Sequence, residues 1–276
     1  MDEALQWLID QVRGCKSCPA TLDVVVLRAR GADGYNPYIQ EMHGVDSVET
    51  LVIRRRSDAE TAEVESAIRN AEVVFFAGGD QCNYVENFKG TAVEHAVESV
   101  YARGGGVGGT SAGLAVQAQF VFDACNGTIL SREALEDPYD RRLSFTDDFF
   151  DWAHLDRVVT ESHFTARDRM GRTMAFLARH IQDGRAQSAL AVAVDERTSL
   201  AVDRNGIAKV IGDGSAYFVL ADHPPEVCQP RTPLTYSNYK IWRVGAGGRF
   251  DLRNRPTHGY YVRSVENGVL TQDPYE

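Results

Sequence analysis

The chain has little of what would commit it to a membrane, to nucleic acid or to a disulfide scaffold. No apolar run approaches the roughly 18 to 20 residues that span a bilayer, and the opening Met1-Asp2-Glu3 lacks the basic start and apolar middle of a signal peptide. The expectation is a soluble protein, cytoplasmic by default and exported if a leader was trimmed from it. Basic side chains are in deficit, 29 Lys and Arg against 39 Asp and Glu, for a net charge of −10. Nucleic-acid affinity rests on neutralising phosphates, so this balance argues against a general polyanion binder while leaving room for a local basic site. The five cysteines, at 15, 18, 82, 125 and 228, are too few and too irregular for a disulfide framework. Cys15-Lys16-Ser17-Cys18 is a lone CxxC with no second pair and no nearby histidine pair to complete a metal cage. It reads as structural, two free thiols or a local disulfide, and no metal or cofactor is expected. Repeats, low-complexity tracts and composition shifts are also missing. With 43% hydrophobic residues, 1–276 reads as a single α/β domain with a sizeable core, its last part from about 208 a β-rich extension.

What is present is an alternation of apolar strands and amphipathic helices. Leu22 to Leu27 is a continuous β-branched run of the kind buried on both faces. Val48 to Ile53 reads as a second strand, Ala59 to Asn70 as a helix, Glu72 to Phe76 as a third strand, and Thr91 to Ala102 as another helix. This order indicates a parallel sheet flanked by helices, in which function gathers at the carboxyl ends of strands. Residues 126–152 form a polar stretch expected to run over the surface as a long connection. Arg157 to Thr160 reads as a strand, Arg167 to Ile181 as a helix, and Ala189 to Val194 and Ser199 to Val202 as strands. The short alternating runs after Ala208 indicate antiparallel β structure.

The residues with the most chemistry sit at predicted strand ends. Gly109-Thr110-Ser111-Ala112-Gly113 is a G-x-S-x-G pentapeptide directly after a glycine-rich apolar run, the setting of a nucleophile elbow. There a serine is held between a buried strand and a helix, expected here from Ala112 through Phe120, whose N–H groups and dipole favour an oxyanion. A glycine-rich turn with a Ser N-cap is the plainer reading. Gly78-Gly79-Asp80-Gln81 closes the third strand in the same manner, so its backbone N–H groups face a ligand with Asp80 and Gln81 reaching polar groups; alternatively Asp80 caps the next helix. A serine nucleophile needs a base, and His163 follows a predicted strand at the same edge. Arg167, Arg169 and Arg172 come directly after it. They either recognise carboxylates bidentately or pair with Asp168, Glu161 or other acids and brace the site. Glu196, after the strand Ala189 to Val194, and Glu161 compete to orient the imidazole.

Together, FAGGDQ (76–81), GGTSAG (108–113), HFxxRxRxGR (163–172) and VDERTSL (194–200) resemble the cyanophycinase and dipeptidase E family of serine peptidases, and of the two the cyanophycinase branch more. The resemblance implies a fold similar to class I glutamine amidotransferases (flavodoxin-like), and a homodimer. It implies Ser111 as nucleophile, His163 as general base, Glu196 as third member and the N–H groups of Gly79 and Ala112 as oxyanion hole. Gln81, Arg167, Arg169 and Arg172 fall on pocket positions of that branch, and Gly78, Asp80 and Thr110 are expected to bind substrate with them. The implied substrate is the multi-L-arginyl-poly-L-aspartate polymer, cut to β-Asp-Arg dipeptides, or related acidic peptides; relatives cleave peptides with an N-terminal aspartate. No nucleic-acid or membrane partner is expected. Three features depart from the family pattern: Glu161 stands where aspartate is usual, the sequence opens on a helix without the usual apolar strand and glycine turn, and the 126–152 connection and β tail are added. The readings kept beside this one are an Asp-X dipeptidase or isoaspartyl peptidase, an α/β-hydrolase esterase, and a non-catalytic carboxylate-binding protein. The order Ser111, His163, Glu196 opposes the esterase, whose acid precedes its histidine.

Overall fold

A computed structural model describes residues 1–276, and the chain separates into two compact units, 1–117 and 118–276. No helix is long and apolar enough to cross a membrane.

The first unit is built on a four-stranded parallel sheet of order β2-β1-β3-β4. Its strands are β1 (Leu22–Arg28), β2 (Val45–Val52), β3 (Val73–Phe76) and β4 (Gly106–Gly109). Helices α1 (Asp2–Arg13), α2 (Asn36–Gln40), α3 (Ala62–Asn70), α4 (Gln81–Phe88) and α5 (Ala92–Ala102) join and cover them. The β-branched run of β1 and the VVFF of β3 are buried because helices cover both faces, which is why these strands do not alternate. Leu5 and Ile9 of α1 pack onto Val24, Val26, Val73 and Phe75. The sheet order places a topological switch between β1 and β3, and Thr61 and Asp80 cap α3 and α4 with their side chains. At the end of α1, Cys15 and Cys18 form a local disulfide. Arg13 steadies this turn by donating to the carbonyls of Cys18 and Ala20.

Past β4, a single turn, α6 (Ala112–Ala115), replaces the longer helix expected from Ala112 through Phe120. Phe120 instead opens strand β5 of the second unit, because Phe120-Val121-Phe122 suits a buried strand better than a helix.

The second unit has an eight-stranded mixed sheet of order β15-β14-β12-β11-β8-β7-β5-β6. Its parallel centre is β5 (Phe120–Phe122), β7 (Val158–Glu161) and β8 (Ala189–Val194). Antiparallel neighbours are β6 (Phe145–Asp147), β11 (Ser215–Ala221), β12 (Tyr236–Gly245), β14 (Tyr261–Glu266) and β15 (Val269–Leu270). A small sheet of β9 (Thr198–Val202), β10 (Ile207–Gly212) and β13 (Arg249–Asp251) joins the larger one through Phe250, which stacks on Phe218 at 3.8 Å. The antiparallel tail therefore continues the parallel strands as one sheet. Helix α8 (Met170–Gln182) is the main cover, with α7 (Ser131–Glu136) against it.

Two expectations change here. The 126–152 stretch is no polar surface loop: it contributes α7 and β6, and Phe149, Phe150 and Trp152 stack in series and are buried. Helix α8 begins at Met170, not Arg167, because His163 and Asp168 take left-handed backbone angles (φ 50° and 47°) that coil 163–169 into turns.

Candidate active site

The serine elbow lies wholly in the first unit. Ser111 has φ 54° and ψ −115°, a conformation that costs an L-residue on the order of 1–3 kcal/mol. Close packing of its neighbours holds it. A Cβ at Gly109 would lie 2.3 Å from the Gly113 carbonyl oxygen, and one at Gly113 would lie 2.2 Å from that of Phe76. Only glycine lets strand, turn and helix pass this closely. The Phe76 carbonyl also accepts from the Thr110 N–H at 3.0 Å, tying the elbow to the end of β3.

That strand end continues into Gly78 and Gly79. A Cβ at Gly78 would touch the Ser111 Cβ at 3.5 Å, so the GGDQ turn and the elbow are adjacent. The N–H groups of Gly79 and Ala112 donate to no protein acceptor. The α6 turn is too short to carry a full helix dipole, so any ligand charge here would meet only such discrete N–H donors. Asp80 accepts from the Cys82 N–H at 3.0 Å, which makes it the cap of α4, and Gln81 opens that helix. Gly78, Gly79 and Asp80 line a cavity of about 250 Å³ with Ala29, Arg30 and Tyr84, at the carboxyl ends of β1 and β3. Ala29 and Arg30 went unnoticed in the sequence. The signal for them is the sheet order, since the switch point puts whatever follows β1 beside the GGDQ turn.

The histidine turn lies in the second unit. His163 follows β7 directly, and its Nδ1 lies 2.9 Å from Glu196 Oε1, just past the parallel neighbour β8. With the carboxylate as acceptor, Nδ1 carries the proton and Nε2 keeps its lone pair, the tautomer a general base needs. The imidazole is 24% exposed and Glu196 52%, so the ring is reachable from solvent. Phe164 beneath it is fully buried and extends the β7–β8 pairing through its N–H to the Val194 carbonyl. Asp195 fixes the other side. Its two oxygens accept from the Thr165 N–H and hydroxyl and from the Ser215 N–H, so one carboxylate joins the histidine turn to β11.

Glu161 is placed elsewhere. It is buried, with Oε1 at 2.7 Å from Arg169 and Oε2 at 2.6 Å from Arg172. The imidazole therefore pairs with Glu196, and Glu161 neutralises two guanidiniums. Arg172 is buried itself, donates to Thr128 and the Ile129 carbonyl, and lies over the Phe122 ring at 5.2 Å. Burial lowers the Arg169 pKa, against the attraction of Glu161. Of the arginines expected in the pocket, Arg169 and Arg172 thus brace the fold around the histidine. Arg167 is exposed and makes no ion pair. Asp195 and Thr165 were passed over in the sequence, where a lone aspartate at a strand end gives no sign of having two partners.

A model of peptidase family S51 matches residues 29–202, more than half of the chain. The cyanophycinase of Nostoc sp. (strain PCC 7120 / SAG 25.82 / UTEX 2576) is 29% identical over 223 residues, covering 79% of this chain and 69% of that protein. That of Trichormus variabilis (strain ATCC 29413 / PCC 7937) is similar to the same extent. Among solved structures, a peptidase from an acI-B1 Actinobacterium superposes with a TM-score of 0.58 at 16% identity, covering 91% of this chain and 90% of that one, a likeness of fold. Matched over a span that contains its FAGGDQ, GGTSAG, histidine–arginine and VDERTSL segments, the chain belongs to peptidase family S51, the serine peptidases of the cyanophycinase and dipeptidase E type.

Proposed function

We propose that this serine peptidase hydrolyses β-aspartyl-arginine peptides of the cyanophycin kind, with Ser111 as nucleophile, His163 as general base and Glu196 as the acid that orients it. The observation that carries the reading is the backbone of Ser111, a strained turn locked by Gly109 and Gly113, for which a plain capping serine has no use. The His163–Glu196 hydrogen bond supports it from the other half.

In the proposed reaction, Ser111 Oγ bonds to the amide carbon as its proton passes to His163 Nε2. The carbonyl π electrons move onto oxygen, and the Gly79 and Ala112 N–H groups stabilise that charge. His163 then gives the proton to the leaving amine as the C–N bond breaks, leaving an acyl ester on Ser111. Water, deprotonated by His163, attacks the ester, and Ser111 leaves with the proton. Glu196 accepts the Nδ1–H throughout and stabilises the transient imidazolium. Arg167, uncompensated and four residues past the histidine, is suited to a substrate carboxylate, whereas Arg169 and Arg172 already have Glu161. The expected partners are the peptide substrate and a second copy of the chain.

Ser111→Ala should lower kcat by about 10⁴- to 10⁶-fold with an unchanged unfolding midpoint. Mass spectrometry of products from cyanophycin, β-Asp-Arg, isoaspartyl peptides and Asp-X dipeptides identifies the bond and its length. Cyanophycin cleavage retained in the variant overturns the nucleophile. Turnover of Asp-X dipeptides alone keeps the nucleophile and replaces the substrate.

A further inference from the structure

At the amino end of β7, opposite the end that carries His163, the second unit holds an open cleft of about 360 Å³ lined by His154, Asp156, Arg157, Leu252, Arg253 and Arg255. Three guanidiniums face it with one carboxylate, a local excess of positive charge in a chain whose net charge is −10.

The cleft is constructed from fixed backbone. His154 and Arg157 have left-handed φ angles of 73° and 54°, conformations that a β-turn of ordinary residues avoids. The Arg157 N–H donates to Gln119 Oε1 at 2.7 Å and its carbonyl accepts from Leu190, which fixes it at the strand entrance. The His154 ring lies against Gly206, where a Cβ would come within 3.0 Å, and its Nε2 is 3.2 Å from the Arg204 carbonyl. The Leu252 N–H donates to the Gly206 carbonyl, so the β9–β10 turn holds both walls. Asp251 accepts from the Arg253 and Asn254 N–H groups and orders the segment that carries Arg253 and Arg255.

The charges do not balance. Asp156 is taken by Arg157 Nε at 2.9 Å, an exposed pair, and Asp251 by backbone donors. Arg255 is half-buried and has neither an ion pair nor a hydrogen bond, and Arg253 has no side-chain partner. A desolvated guanidinium without a counter-charge is costly, and a structure that retains one beside two more has somewhere for an anion to go. Burial lowers the Arg255 pKa, Arg157 adds to the effect, and Asp156 opposes it.

We propose that this cleft is a second binding site, for a small doubly charged oxyanion, a phosphate group or a dicarboxylate, held by the guanidinium forks of Arg253 and Arg255 with Arg157 at its edge. Planar guanidinium forks match paired oxygens of both kinds, and the volume admits a small organic anion rather than a polymer chain. The site is independent of the peptidase reading.

Calorimetric titration of the full chain with inorganic phosphate and with succinate, at ionic strength held constant with NaCl, tests the assignment. Saturable binding of either anion is expected, weakened at least about tenfold in Arg255→Gln and in Arg253→Gln and unchanged in Arg132→Gln, an exposed arginine away from this cleft. Both Arg255→Gln and Arg253→Gln should keep the wild-type melting temperature in NaCl alone, since neither side chain has a partner to lose. Phosphate binding without succinate binding assigns a phosphate-bearing ligand, and the converse a dicarboxylate. No heat beyond the NaCl control, or binding that survives Arg255→Gln, overturns the site.

Discussion

The two units hold the residues proposed for catalysis by different physical means. In the first, the work falls to backbone. Ser111, Gly79 and Ala112 are positioned by how closely β3, β4 and α6 approach, and the side chains that permit this are missing ones, at Gly109 and Gly113. In the second, the work falls to charged side chains brought from distant segments, His163 to Glu196 and Glu161 to Arg169 and Arg172. The difference teaches where each half is vulnerable. A backbone device fails by steric intrusion at a single atom, and an ionic one by losing the charge that compensates its neighbours.

Glu161→Gln presses hardest on the ionic half. It leaves two largely buried guanidiniums without a counter-charge, and removing one member of such a group destabilises by about 3–5 kcal/mol. Urea unfolding should give an unfolding free energy lower by that amount, seen as a lower midpoint at an unchanged slope. Glu161→Asp, which keeps the charge on a shorter arm, should lose less. An unfolding free energy for Glu161→Gln within about 0.5 kcal/mol of wild type would mean that packing around Arg172, against Phe122 and the Ile129 carbonyl, holds this region without the ion pairs.

Gly113→Ala tests the backbone half. Its Cβ would meet the Phe76 carbonyl, which also accepts the Thr110 N–H, so the elbow must shift. A displacement near 1 Å at a nucleophile costs about a hundredfold in rate, close to 3 kcal/mol of transition-state stabilisation. Peptidase kinetics and the melting temperature, measured together, should show activity falling well before stability does. Full activity in this variant would break the contrast.

The same contrast explains how legible each half is in the sequence. Backbone devices leave a local mark, since GTSAG and GGDQ advertise the elbow and the turn within a few residues, and the buried strands β1 and β3 announce themselves as unbroken apolar runs. Ionic devices are long-range. The histidine and the arginines lie in one string, yet nothing local tells that Glu161 serves Arg172 while Glu196, 33 positions past the histidine, serves the imidazole. Asp195 escaped notice for that reason, its partners being Thr165 and Ser215. The start of α8 was misread because φ > 0 at His163 and Asp168 is imposed by tertiary packing rather than by glycine. Likewise the 126–152 stretch was polar on average, and its buried Phe149, Phe150 and Trp152 were outweighed in the count.

His180 supplies the smallest test and bears on whether the second unit tolerates polar groups without partners. It is fully buried in α8, stacked on Phe120 at 4.0 Å and tilted onto Phe145, and neither ring nitrogen has a hydrogen-bond partner. Burial pushes its pKa down to about 3, with Arg185 and Arg179 adding to the effect and Asp183 opposing it. The folded value lies below the unfolded one, near 6.5, so the unfolded chain binds the proton first. Stability contributed by the neutral ring is therefore present above about pH 6.5 and drains away as pH falls toward the folded value. Between pH 6.5 and 4.5 the linkage amounts to roughly 2 kcal/mol. His180→Phe keeps the aromatic stack and removes the titration. Urea unfolding free energies of the two proteins should diverge in favour of the variant by about that amount on acidification, the carboxylates common to both cancelling in the difference. Parallel pH curves would mean that the folded ring takes up its proton as readily as the unfolded one, and that this unit, unlike the elbow, adjusts its charges by moving.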